Sequence, residues 1–125
     1  MTRYNLTQLQ DLVRNGEWDF LNDKRIERTK LKLGWVDADI AEVLCALVEQ
    51  RPPFQKTSAN CEVKRPIGTR YVDADQYEIH WDKEAGMRRD MPVAGTISLS
   101  IKLALVSDDE GEFCGVVTFH TSPDL

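Results

Sequence analysis

The sequence predicts an α+β domain in which N-terminal helices pack on one face of a mainly antiparallel sheet. Apolar residues recur at helical spacing in the first half of the chain. Two later segments, residues 71–81 and 97–105, have the composition or the alternation of strands. Helices followed by a run of strands, instead of alternating with them, are typical of this class. A chain of 125 residues also predicts a single domain, over residues 1–125.

The first two helices are expected before residue 34. Thr7 is a candidate N-cap of a short helix. This helix is expected to end before Gly16, because glycine readily adopts the left-handed conformation that ends helices. A second helix is expected over residues 23–33, although its apolar positions are sparse. Gly34 follows it directly and would end it in the same way.

The third helix has the clearest pattern. Over residues 38–50, apolar side chains recur every three or four positions. Asp39 and Glu42 have the spacing of a capping box near its start, and Pro52-Pro53 would end it. The apolar side chains that we expect to face the core are Ile40, Val43, Leu44, Leu47 and Val48.

The first predicted strand covers residues 71–81, which are rich in aromatic and β-branched residues. Gln76, Glu78 and His80 alternate with large apolar residues, so they would form one polar face of the strand. The polar stretch 82–90 is expected to form a long hairpin tip.

A hairpin is expected at the end of the chain. Residues 97–105 alternate strictly between apolar and polar or small side chains, as in a half-buried strand. Residues 113–120 form the next apolar segment, and the acidic turn 107–111 lies between the two. This spacing indicates two antiparallel strands.

The charge distribution is uneven. The net charge of −5 argues against a surface that is basic overall, as in many nucleic-acid-binding proteins. Basic residues nevertheless cluster in residues 24–32 and 51–70. A local basic face still attracts phosphate, since salt at 0.1 M screens charges only beyond about 10 Å. Ordinary solvated charges explain these clusters equally well.

Several classes of protein are disfavoured. No apolar run is long enough to cross a membrane, and the first residues lack the apolar stretch of a signal peptide. Three cysteines without metal-site spacing favour reduced thiols in a cytoplasmic protein. Nucleotide-binding loops and the zinc-protease and serine-hydrolase motifs are absent. We therefore expect no cofactor and no catalytic metal. RNA cleavage is compatible with this, because the 2′-hydroxyl of the substrate can be the nucleophile.

Six short segments resemble, in the same order, those of the MqsR toxin family, and together they span nearly the whole chain. They are Tyr4-Asn5-Leu6, Lys32-Leu33-Gly34-Trp35 with the helix after it, Pro53-Phe54-Gln55-Lys56-Thr57, Asp75-Gln76-Tyr77, Gly95 with the strand after it, and Val117-Thr118-Phe119-His120. The resemblance implies a RelE-like fold and metal-independent cleavage of messenger RNA. It also implies a cognate antitoxin that neutralises the toxin, commonly one with zinc and helix-turn-helix modules.

The resemblance also implies catalytic positions. The family's first functional lysine falls on Lys56 and its final lysine on His120. Its glutamine falls on Ala74, or on Gln76 if the strand is shifted by two residues, which keeps the same face and moves the group by roughly 6.6 Å. Its tyrosine falls on Ser98, which has no phenol.

Other candidates complete the predicted site. Tyr77 is a further catalytic candidate, although a strand tyrosine usually packs in or near the core. Lys64, Arg65 and Arg70 are expected to contact RNA phosphate, Arg65 and Arg70 through planar guanidinium groups. His120 is a candidate proton donor, since histidine ordinarily titrates near pH 6.5. The alternative is a catalytically altered MqsR-like binding or regulatory module without ribonuclease activity.

Overall fold

Among the residues that the structure describes, three helices lie in the first half of the chain and four of the six strands lie in the second. The computed structural model describes residues 1–65 and 71–122, and within them the predicted α+β class is confirmed. The elements are α1 (Leu6–Arg14), β1 (Trp18–Phe20), α2 (Asp23–Leu33), α3 (Asp37–Cys45), β2 (Phe54–Glu62), β3 (Tyr71–Asp82), β4 (Met87–Arg89), β5 (Thr96–Asp108) and β6 (Gly111–Thr121).

The strands form one sheet in the order β1-β6-β5-β3-β2, with β4 paired to the end of β3. All pairs are antiparallel except β1 with β6, which is parallel. The predicted strands 71–81, 97–105 and 113–120 are therefore confirmed, each slightly longer than expected. The stretch 82–90 is not only a hairpin tip, since it also contains β4. Strand β1 was not predicted, because three residues are too few to show alternation.

The ends of two helices differ from the prediction. Asn5, not Thr7, caps α1, and its side-chain oxygen accepts a hydrogen bond from Gln8 N at 3.0 Å. Helix α3 ends at Cys45, before residue 50. The side chain of Gln10 on α1 donates to the main-chain oxygens of Leu44 and Leu47, at 3.0 and 2.8 Å. These tertiary hydrogen bonds use carbonyl groups at the end of the helix, which sequence spacing alone could not indicate. Helix α2 has the predicted bounds.

The main core lies between the helices and one face of the sheet. Apolar side chains of all three helices meet those of β3, β5 and β6 there, and the sheet contributes Tyr77, Ile79, Trp81, Leu99, Ile101, Leu103, Cys114, Val116 and Phe119. Burial raises the pKa of the Cys114 thiol to about 12. The three cysteines are free, as expected.

The described part of the chain covers the opposite face of the sheet at one end only. After β2 the chain folds back over this face, and the main-chain N–H groups of Lys64 and Arg65 donate to Leu21 O. Val63 and Leu21 thereby join a small second apolar cluster on this side. Gly115 lies beneath it, where an added Cβ would be only 2.7 Å from Leu21 Cδ1. The rest of this side is called the open face.

Candidate nucleic-acid interface

A row of polar side chains crosses the open face from β2 to β6. Lys56 is paired with Gln76, Gln76 with Lys102, and Lys102 with Thr118. Residues that are directly opposite in antiparallel strands project from the same face, with Cβ atoms about 4.5–5.5 Å apart. We call these four residues the lysine row. It places two ammonium groups on a surface that none of the helices α1 to α3 covers.

A second row lies next to the lysine row. It consists of Glu78, Ser100 and His120, again in register on β3, β5 and β6. Glu78 and His120 are therefore the diagonal neighbours of Lys102, at about 7–8 Å. A carboxylate and an imidazole, which can both move protons, thus lie on either side of one lysine.

His120 is exposed at the end of β6. Its Nδ1 lies 3.0 Å from the main-chain oxygen of Thr121, which favours a proton on Nδ1 and leaves Nε2 available for a substrate. Lys56 lies on the same face, but three strand spacings away across the sheet, or about 14 Å, and in the neighbouring row. A phosphate bound at His120 is therefore closer to Lys102 than to Lys56. Lys102 is the cation beside His120.

Ala74 and Gln76, the two positions that the resemblance offers for the family's glutamine, differ in burial. Ala74 is fully buried beneath the second apolar cluster. Gln76 lies on the open face between Lys56 and Lys102, and its side-chain nitrogen donates to Glu78 Oε1 at 3.4 Å. Gln76 is therefore the only one of the two that a substrate on this face would reach.

Tyr77 lies on the opposite side of β3, in the main core. Its side chain is fully buried and its ring packs against that of Phe54, with centroids 5.6 Å apart. Burial also raises the pKa of its hydroxyl. The inclusion of Tyr77 among the catalytic candidates is therefore wrong, because it cannot contact a substrate on the open face.

Ser98, at the position that the resemblance assigns to the family's tyrosine, lies on the open face. It pairs with His80 across β3 and β5, and its hydroxyl oxygen is 2.9 Å from His80 Nδ1. This contact is partly buried. The serine therefore has a histidine partner, although it lacks the reach and acidity of a phenol.

Two of the side chains that were predicted to contact RNA after β2 form ion pairs with carboxylates. Lys64 Nζ lies 3.3 Å from Glu62, and Arg65 lies 3.1 Å from Asp23 and 3.5 Å from Asp19. Arg70 lies outside the described residues. The segment 51–65 therefore offers less free positive charge than its composition indicates.

A cleft of about 810 Å³ lies between α2, the end of β2 and the open face. Asn22 lines the cleft and connects its two sides, since its side-chain nitrogen donates to the main-chain oxygens of Glu62 and Val117, at 3.0 and 3.2 Å. Lys102 and Thr118 of the lysine row also line the cleft. Sequence reasoning missed Lys102 as a functional candidate. In the sequence, Lys102 stands out as the one cation in an alternating strand whose other non-apolar positions hold small or hydroxyl-bearing residues.

Comparisons with known proteins identify no relative: no family model matches, and neither the curated proteins nor the solved structures give a match. Within residues 1–65 and 71–122, no three His, Cys, Asp or Glu side chains are grouped in a way that could hold a metal ion. No helix in this part of the chain is long and apolar enough to cross a membrane.

Proposed function

We propose that this chain is a metal-independent endoribonuclease toxin of a toxin–antitoxin pair, with an MqsR-like variant of the RelE-like fold and a cognate antitoxin that neutralises it. The observation that carries the proposal is the arrangement around Lys102. Gln76 and Thr118 are its direct cross-strand neighbours, and Glu78 and His120 are its diagonal neighbours. The ordered resemblance to the family supports the same function.

The arrangement matches the requirements of RNA cleavage. The 2′-oxygen attacks the adjacent phosphorus, the bond from phosphorus to the 5′-oxygen breaks, and a 2′,3′-cyclic phosphate and a 5′-hydroxyl result. In our proposal Glu78 accepts the proton of the 2′-hydroxyl and His120 Nε2 donates a proton to the leaving 5′-oxygen. Lys102 stabilises the negative charge that develops on the phosphate, and Gln76 orients it.

Lys56 has a separate role in this proposal. It lies two strand spacings from Lys102, or about 10 Å, in the same row. Its ammonium group therefore binds a phosphate next to the one that is cleaved. This assignment keeps Lys56 as a functional residue but makes Lys102 the central one.

The second candidate function is a catalytically altered binding or regulatory module. The contact between Ser98 and His80 favours it, because the position of the family's functional tyrosine here holds a hydroxyl whose partner is another protein group. Such a module would bind RNA or protein without cleaving the substrate.

Growth assays test the leading proposal. Expression without an antitoxin should stop bacterial growth, and Lys102→Ala or Lys56→Ala should relieve the arrest at equal soluble levels. Arg14→Ala is the control, since Arg14 is exposed on α1, away from the open face. Equal arrest by all variants would reject both lysines. No arrest by the unaltered protein would favour the binding module.

A further inference from the structure

The cleft beside α2 collects basic side chains that lack carboxylate partners. Lys24, Arg25, Arg28 and Lys102 all line it, and none of them forms an ion pair among the residues that the structure describes. Arg25 and Arg28 are exposed and three positions apart on α2, so they project from the same side of the helix.

Nearby cations differ from this group. On the same helix, Lys30 lies 2.6 Å from Asp37 and 3.1 Å from Glu27. Asp23 and Glu62, the carboxylates that line the cleft, already pair with Arg65 and Lys64. In a chain with a net charge of −5, four cations without an ion pair among the described residues surround one concave site, and they produce a local positive potential that attracts anions.

The cleft is also continuous with the proposed cleavage site. Lys102 lines the cleft and is at the same time the centre of the lysine row. Thr118 connects the two regions on β6, next to α2. A strand of RNA that crosses the sheet along the lysine row would therefore pass from Lys102 directly into the cleft.

We propose that this cleft binds a phosphodiester of the RNA strand, next to the phosphate at Lys102, through the guanidinium groups of Arg25 and Arg28. The proposal rests on the proposed function, because it assigns a second subsite to the same substrate. Guanidinium groups suit it, since they form paired hydrogen bonds with phosphate oxygens. The volume of about 810 Å³ lies within the range of sites that hold small ligands, so a nucleotide fits. The RNA then runs across the strands instead of along them.

The test measures binding of a single-stranded 2′-O-methyl RNA oligonucleotide, which cannot be cleaved because its 2′-oxygen is blocked. Fluorescence anisotropy at a series of salt concentrations gives the affinity and its salt dependence. Arg25→Gln with Arg28→Gln should weaken binding by about tenfold at low salt and reduce the slope of log K against log salt by about 0.7, the value for one lost phosphate contact on a single strand. A matched control is Arg14→Gln with Lys83→Gln, which removes two exposed charges away from the open face. Thermal unfolding checks that all variants are folded.

The outcomes separate this proposal from the proposed function. Weaker binding by the α2 variant but not by the control, together with RNA cleavage by the unaltered protein, supports both. The same binding result without cleavage supports the cleft and rejects the nuclease. Cleavage with unchanged RNA binding by the α2 variant rejects the cleft alone. Inorganic phosphate is then added as a competitor at constant ionic strength. If it displaces the RNA as effectively as the unlabelled oligonucleotide does, the cleft is a site for free phosphate and the RNA subsite is overturned.

Discussion

At the scale of single residues, Asp75 ties the N-terminal segment to the sheet. Its buried carboxylate accepts hydrogen bonds from the main-chain N–H groups of Arg3 and Tyr4, both at 2.9 Å, and from Thr57 Oγ1 at 2.6 Å. Tyr77, two residues later, packs in the core. The Asp-x-Tyr part of the family resemblance therefore has a structural role in this chain, not a catalytic one.

Asp75→Asn tests this role. The amide NH₂ would face N–H donors where the carboxylate offered acceptors, so we expect the free energy of unfolding to fall by about 2–3 kcal/mol. Urea unfolding at neutral pH measures it. Asp109→Asn, in the exposed turn between β5 and β6, is the control and should change stability by less than about 0.5 kcal/mol. Equal stability of Asp75→Asn and the unaltered protein would contradict the role.

At the scale of elements, the start of α3 depends on Asp39. Its carboxylate pairs with Lys83 Nζ and accepts a hydrogen bond from Val36 N, both at 2.8 Å. The contact with Lys83, and to a smaller extent that with Val36 N, holds the pKa of Asp39 below its ordinary value. Asp39 therefore connects the first turn of α3 with the hairpin of β3 and β4.

Asp39→Ala should lower the stability at neutral pH by about 1 kcal/mol, the usual cost of losing a cap. Because the pKa is lowered in the folded state, the stabilising effect is complete above the ordinary carboxylate value of about 3.9 and is lost as the pH falls through the folded value. The difference between variant and unaltered protein should thus vanish in acid. A difference in unfolding free energy that is constant from neutral to acidic pH would contradict this account.

Elements with strong periodicity were predictable and those set by tertiary contacts were not. Strict alternation was sufficient to predict β5, and the terminal glycine to predict the end of α2. Gln10 donates to main-chain oxygens at and after the end of α3, and β1 pairs with β6. Local sequence patterns contain neither contact. For the site, alternation placed Gln76, Glu78 and His80 on one face correctly. It could not show that Lys102 lies at the centre, because that follows from the register of strands distant in sequence.

At the scale of the whole molecule, the two faces of the sheet have different roles. One face and the three helices form the main core, while the other face is covered, as far as residues 1–65 and 71–122 show, only where residues 61–65 cross it. This division places the lysine row and the cleft of α2 on the same side. The basic path that we propose for RNA lies on this side, where the carboxylates that line the cleft, Asp23 and Glu62, already pair with Arg65 and Lys64.

The most direct test of this account is cleavage of single-stranded RNA by the purified protein in the presence of a metal chelator. We expect 2′,3′-cyclic phosphate ends, and we expect Lys102→Ala to lower the cleavage rate by about 10²–10³-fold, the usual cost of losing one group that stabilises transition-state charge. His120→Ala should lower the rate by about 10²–10⁴-fold if it is the proton donor. Arg14→Ala should cleave at the unaltered rate. Cleavage by Lys102→Ala at the full rate, or the absence of cleavage by the folded unaltered protein, would contradict the central claim.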